Sequence, residues 1–234
     1  MTGSFWLDGV NSRDMGIYIS GSGTFGAPER DMERVEIPGR SGELLIDRKR
    51  FKNVVVTYPA FIRHKFKDLT DLARAWLLKD VGYRILEDTY HPDEFRKACF
   101  AGPLDFDVRF LNRSGECTIS FNCMPQRYLK IGEEIIRSTE EVRLWNPTEF
   151  PARPWIRVYG TGGNLVAGNV IIQINQINGY IDINSETQNA CKGLTNCNGN
   201  IKADEFPVFS EGESDIRWTG NITKVEVKPR WWRI

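Results

Sequence analysis

Four of the five cysteines fall into two equally spaced pairs, Cys117/Cys123 and Cys191/Cys197, and paired thiols are a first place to look for metal or redox chemistry. Neither spacing is that of a usual zinc site, and His64 and His91, the only histidines, stand beside neither pair. In "CTISFNC" the residues Cys117, Ile119, Phe121 and Cys123 alternate with Thr118, Ser120 and Asn122. That is the period of a half-buried strand with both thiols on its inner face, so structural thiols are expected and no metal ligand is assigned. Carboxylates gather at Glu133–Glu134, Glu140–Glu141 and Asp204–Glu205, and at Glu211, Glu213 and Asp215 in "SEGESD". A glycosidase holds two acids across a cleft at a set separation, which spacing along a chain does not establish. These runs read as solvated faces and turns.

Glycine-rich loops offer a second kind of chemistry. Ser41 in "GRSGE" superficially resembles a nucleophile elbow, but the glycines are off pattern and no helical pattern follows. "YGTGGN", residues 159–164, has the glycines of a phosphate cradle. Such a cradle must lead into a helix N-terminus, and here another strand follows, so a β-turn is expected. Asn112-Arg113-Ser114 and Asn221-Ile222-Thr223 are formal glycosylation acceptors that read as chance matches. No catalytic residue and no cofactor is assigned.

The elements that would position any site are mostly strands. "ELLIDRKRF" is a weak strand and "NVVVTYPAFI" a strong one, with "IPGRSG" (37–42) between strands. One segment has helical periodicity: Leu69, Leu72, Ala73, Trp76 and Leu77 share a face, with Asp68 as N-cap and Gly82 beyond the end. Strands are expected over Tyr83–Leu86, Phe95–Ala101, Leu104–Leu111 and Glu116–Met124, with a turn at 112–115. After Pro125 the charged stretch with Pro147, Pro151 and Pro154 reads as a connection, in which "EEIIRSTEEVRLW" is a short helix or an extended segment. From Trp155 short strands, among them "DIRW" and "NITKVEVK", alternate with turn residues. The expected fold is mainly β with minor α content: an N-terminal sheet or sandwich domain with one helix over 1–130, a linker over 131–152, and a β-sandwich over 153–234.

Composition bounds the function. The 234 residues include 31 Lys plus Arg and 31 Asp plus Glu, a formal charge of zero. Sequence-independent grip on nucleic acid usually needs a basic excess, so specific or tight DNA binding is not expected. No apolar run approaches the ~20 residues of a membrane helix, and the N-terminus lacks the pattern of a secretory signal. Neither membrane insertion nor signal-directed secretion is expected. Trp145, Trp218, Trp231 and Trp232 leave two readings open, closure of the sandwich core or contact with a protein or sugar.

Five stretches in one order carry a family resemblance. "FWLDGVNSRDMGIYI", "VEIPGRSGELLIDRKRFKNVVVTY", "DLTDLARAWLL", "GECTISFNCMPQRYL", and a second half running from "NPTEFPARPWIRVYGTGGN" to "VEVKPRWW" resemble the distal tail protein of bacteriophages with long, non-contractile tails. The resemblance implies a non-enzymatic virion protein, made in the bacterial cytoplasm and placed at the phage tail tip. It implies a hexameric ring at the distal end of the tail tube, built by the N-terminal domain, with DNA passing through the lumen. A galectin-like C-terminal sandwich would project outward. The implied partners are the tail tube protein, the tail-associated lysin or tail-tip protein, and receptor-binding or baseplate proteins. Within that frame Pro38, Gly39, Arg40 and Gly42 are the candidate oligomer interface, with residues 20–34 as an arm on the adjacent subunit. Arg40 serves either a neighbour's carbonyl or carboxylate or its own local turn. The alternative is a carbohydrate-binding adhesion module that contacts host cell-wall polysaccharide through Trp231 or Trp232.

Overall fold

The computed structural model describes residues 2–21, 23, 25–109 and 113–234. It divides into two units, one running to Arg127 and the other from Tyr128 to Arg233.

The first unit contains β1 (Phe5–Leu7), β2 (Val10–Asn11), β3 (Tyr18–Ile19), β4 (Arg30–Glu36), β5 (Glu43–Phe51), β6 (Val54–Ile62), α1 (Phe66–Leu78), β7 (Arg84–Asp88), β8 (Glu94–Cys99), β9 (Phe106–Arg109) and β10 (Ser114–Cys123). An antiparallel sheet runs β2-β1-β7-β8-β10-β6-β3, with β9 also on β10. Its centre is the β6–β10 pair, where Val54, Val56, Tyr58 and Ala60 stand opposite Cys123, Phe121, Ile119 and Cys117. Because directly opposed residues share a face, the alternation in "CTISFNC" and that in "VVVTYPAFI" bury one common side. Phe5 stacks on Tyr58 at 5.5 Å and on Trp76 of α1 at 5.6 Å, tying helix to sheet. The expected strand at 104–111 is β9, four residues long; its far end and Asn112 of the expected turn lie outside the described residues.

The helix departs from expectation at its start. α1 begins at Phe66, with Lys65 at the N-cap in left-handed conformation and no side-chain cap; Asp68 lies in the first turn. The close approach of Phe66 to the sheet fixes this: a Cβ on Gly115 would lie 2.3 Å from the Phe66 ring. Phe66, Thr70, Ala73 and Leu77 are buried, Leu69 and Trp76 partly so, and Leu72 is exposed. Gly82 takes positive φ beyond the helix, as expected.

β11 (Arg127–Leu129) spans the boundary. The second unit continues with β12 (Ile136–Ser138), β13 (Val142–Asn146), β14 (Trp155–Ala167), β15 (Val170–Ile174), β16 (Gly179–Asn184), β17 (Asn189–Lys192), β18 (Thr195–Asn196), β19 (Ile201–Lys202), β20 (Gly212–Lys228) and β21 (Trp232–Arg233). The stretch 131–152, read as a linker, carries β12 and β13, and both pair with β20. Its short apolar positions, such as Leu144, are covered by this sheet rather than by a period of their own.

Two long strands organise this unit. β14 and β20 pair along their lengths with a register shift between Tyr159 and Gly163. Before the shift β14 also pairs with β16; after it, with β15. The sheet thus bends over a core that takes Ile156, Val158, Val225 and Val227 from one side of the bend and Leu165, Ala167, Ile172 and Ile216 from the other. "YGTGGN" is therefore neither phosphate cradle nor β-turn but the bend itself. "DIRW" and "NITKVEVK", expected as separate strands, are one strand continuing through Gly220.

Candidate functional site

Among the described residues, strands β4 and β5 form a two-stranded sheet that pairs with no other strand. Across the hairpin Val35 faces Leu44, Glu33 faces Ile46, Arg34 faces Leu45 and Met32 faces Asp47. Since successive pairs point to opposite sides, each face carries aliphatic side chains among charges and neither is a core face. Met32, Leu44, Leu45 and Ile46 are exposed, Leu45 to 58%.

Cross-strand ion pairs hold the ribbon. They join Arg48 to Glu33 at 3.1 Å, Arg50 to Asp31 at 2.6 Å, Lys52 to Glu29 at 3.0 Å and Arg34 to Glu43 at 3.9 Å. Arg30 donates both Nε and Nη2 to Asp47. That fork, with the Lys49 backbone N–H, draws the Asp47 carboxyl down to about 2. At the tip the Arg40 N–H donates to the Ile37 carbonyl at 3.1 Å. Gly39 and Gly42 have φ of 79° and 88°, which suits glycine. Pro38, Gly39, Arg40 and Gly42 thus shape an exposed turn, and Arg40 has no ion pair among the described residues.

This arrangement lacks the features of a phosphate site, because the tip leads into a strand rather than a helix. Its chemistry is that of a docking element. An isolated hairpin is marginal in water, and unpaired edges beside exposed aliphatics favour another protein surface. The sequence singles out the tip and the 20–34 stretch that leads into β4, not Leu44, Leu45 and Ile46. The available signal was "RDMERVE" and "ELLIDRKRF" themselves, which mix charges and aliphatics without a two-residue alternation.

The tryptophans fall differently. Trp231 is 5% exposed and packs on Phe209 with ring centroids 5.9 Å apart, so it belongs to the core and has no free face for a sugar. Trp232 stacks on Phe150 at 4.6 Å and donates Nε1–H to the Pro151 carbonyl at 3.0 Å. Trp145 is the ring left open, at 68% exposure. Glu213 and Asp215 share Arg143 at 2.6 and 3.3 Å, an exposed ion cluster rather than two acids across a cleft. Cys123 is buried and Cys117 partly so, and burial pushes both thiols up to about 12. Among the described residues no group of His, Cys, Asp and Glu is placed to hold a metal, and no helix is long and apolar enough to cross a membrane.

Comparison with known proteins separates sequence from shape. No family model matches the chain, and no curated protein matches it in sequence. Among solved structures, the Dit protein of phage SPP1, described as a paradigm of the hub adsorption apparatus in phages infecting Gram-positive bacteria, superposes with a TM-score of 0.74 over 100% of both chains at 12% identity. The fold is that of SPP1 Dit. Chains of the phage P2 baseplate in its activated conformation follow at 10% identity. The Ca form has a TM-score of 0.54 over 97% of each chain, and the Sr form 0.55 over 100% of this chain and 98% of that one. The alignment with SPP1 Dit spans both units.

Proposed function

We propose that this chain is a structural, non-enzymatic hub of a bacteriophage tail. In this reading it assembles into a hexameric ring at the distal end of the tail tube. Tail-tip or baseplate proteins, the tail-associated lysin among them, mount on the ring, and DNA passes through its lumen. The observation that carries the reading is the β4–β5 hairpin: a ribbon with aliphatic side chains on both faces and, among the described residues, no strand partner, within a fold shared with a hub protein. In this reading the uncovered ribbon meets an unlike patch on a neighbour, and such a head-to-tail contact gives a ring where its rotation closes. The second unit, which the motif resemblance makes galectin-like, would face outward toward receptor-binding components and so serve host attachment.

Native mass spectrometry and negative-stain averaging of the full chain test this. The expected particle has six times the 26.9 kDa mass of the chain and sixfold symmetry around an open centre. A single chain at every concentration, with tail partners added, would contradict it.

A further inference from the structure

The second unit carries a cavity that neither its core nor the hub reading uses. It has a volume of about 310 Å³ and opens between β15, the turn joining β16 to β17, and the stretch that follows β18. Ile172, wholly buried, reaches it from the core. Ile201 and the Phe206 ring, both partly buried, pack against that core and form an apolar wall. Asp204 and Glu205, which the sequence suggests are a solvated turn, also line the cavity, and Gln188 and Asn198 complete its polar side. Lys202 alternates with Ile201 along β19 and so points the other way. Among the described residues no cation lines the cavity.

Two amides are held in place there. The Asn198 Oδ1 accepts the Ala190 backbone N–H at 2.6 Å, and since a backbone N–H bonds only the oxygen, the Nδ2 end is left over as a donor. Gln188 has a φ of 51°, which glycine adopts more readily, so the turn keeps an amide where its backbone favours none. The Asn198 Nδ2, the Gln188 amide and the Asp204 and Glu205 carboxylates have no hydrogen-bond or ion-pair partner among the described residues. The cavity thus sets unpaired donors and unpaired acceptors beside an apolar wall. We infer that it binds one uncharged pyranose unit of a polysaccharide, with the C–H face of the ring on Phe206 and Ile201. The sugar hydroxyls donate to Asp204 and Glu205 and accept from Asn198 and Gln188. A hydroxyl both donates and accepts, so a sugar uses both sets of groups, and its bonds to carboxylates are of the stronger, charge-assisted kind. An acidic sugar would meet two carboxylates and no cation. An ammonium would satisfy the carboxylates and leave the amide donors unmet. The volume lies at the lower end for ligand cavities, which suits a single ring.

The cavity lies within the second unit, so its test does not depend on the ring. Ligand-observed NMR titration of the full chain would use glucose, galactose, mannose and N-acetylglucosamine, with glucuronic acid and Nα-acetyl-lysine amide as the charged comparisons. The expected result is a millimolar dissociation constant for at least one of the four neutral sugars, and weaker binding or none for glucuronic acid. Asn198→Asp keeps an oxygen for the Ala190 N–H but loses the donor, and Gln188→Gly removes the amide while easing the backbone. Thermal unfolding of Gln188→Gly should therefore match that of the natural chain or rise. Each substitution is expected to weaken the sugar about tenfold. An added carboxylate would instead tighten binding of the lysine amide, so Asn198→Asp moves the two kinds of ligand in opposite directions. Sugar binding that survives both substitutions, binding of the lysine amide alone, a preference for glucuronic acid, or no binding of any of the four sugars would overturn the inference and leave the ring reading untouched.

Discussion

At the scale of single residues, Trp76 joins the helix to the sheet. Its ring stacks on Phe5, which in turn meets Tyr58 and Phe121, so one side chain reaches the aromatic centre of the first unit. Replacement by alanine removes that stack and leaves a cavity under α1. Because Trp76 is only partly buried, the cost should fall near the low end for such changes, about 3 kcal/mol, read by chemical denaturation. A change below about 1 kcal/mol would mean that the helix is held elsewhere. Cys117 and Cys123 show what residue-level reading of the sequence captures: alternation in seven residues marks the strand and its inner face. Trp231 shows where it stopped. A tryptophan near a chain end looks alike whether it stacks on Phe209 or on a ligand, and only the three-dimensional neighbour decides.

At the scale of elements, glycines explain why the second unit bends where it does. A Cβ on Gly160 would lie 2.1 Å from the Asn221 carbonyl oxygen, one on Gly163 2.1 Å from the Thr219 carbonyl oxygen, and one on Gly220 2.8 Å from the Gly163 Cα, so glycines at these positions let β14 and β20 approach closely at the bend. Gly163→Ala must therefore push the strands apart at the bend. The expected loss is about 3 kcal/mol by denaturant titration, with both overpacking and the unfavourable φ of 151° contributing. Unchanged stability would show that the crossing is looser than drawn. Element types were largely legible, since β6, β10 and α1 follow their periods. Continuity was not. Thr219-Gly220-Asn221 has turn chemistry, yet the close packing of β14 keeps β20 in one piece, and 131–152 looks like a linker because its strands borrow their apolar cover from β20. The hairpin was half legible: its strands and turn are in the sequence, but that no third strand joins them among the described residues is a property of the whole fold.

At the scale of the molecule, the two units differ in how complete they are. The second folds its long strands over a closed core, while the first carries a ribbon that no other strand pairs with among the described residues. Stability within the ribbon comes from exposed ion pairs, each worth little in water, so its order in solution depends on what it touches. In the proposed ring, attraction between copies would arise from where charges sit, since they sum to zero.

Hydrogen exchange measured on Arg30–Phe51, in the assembled particle and in the dilute single chain, addresses the bare ribbon most directly. The account predicts slow exchange along β4 and β5 on assembly and near-unprotected exchange in the single chain, while β6 and β10 stay protected in both. Equal exchange of the hairpin in the two states would contradict it.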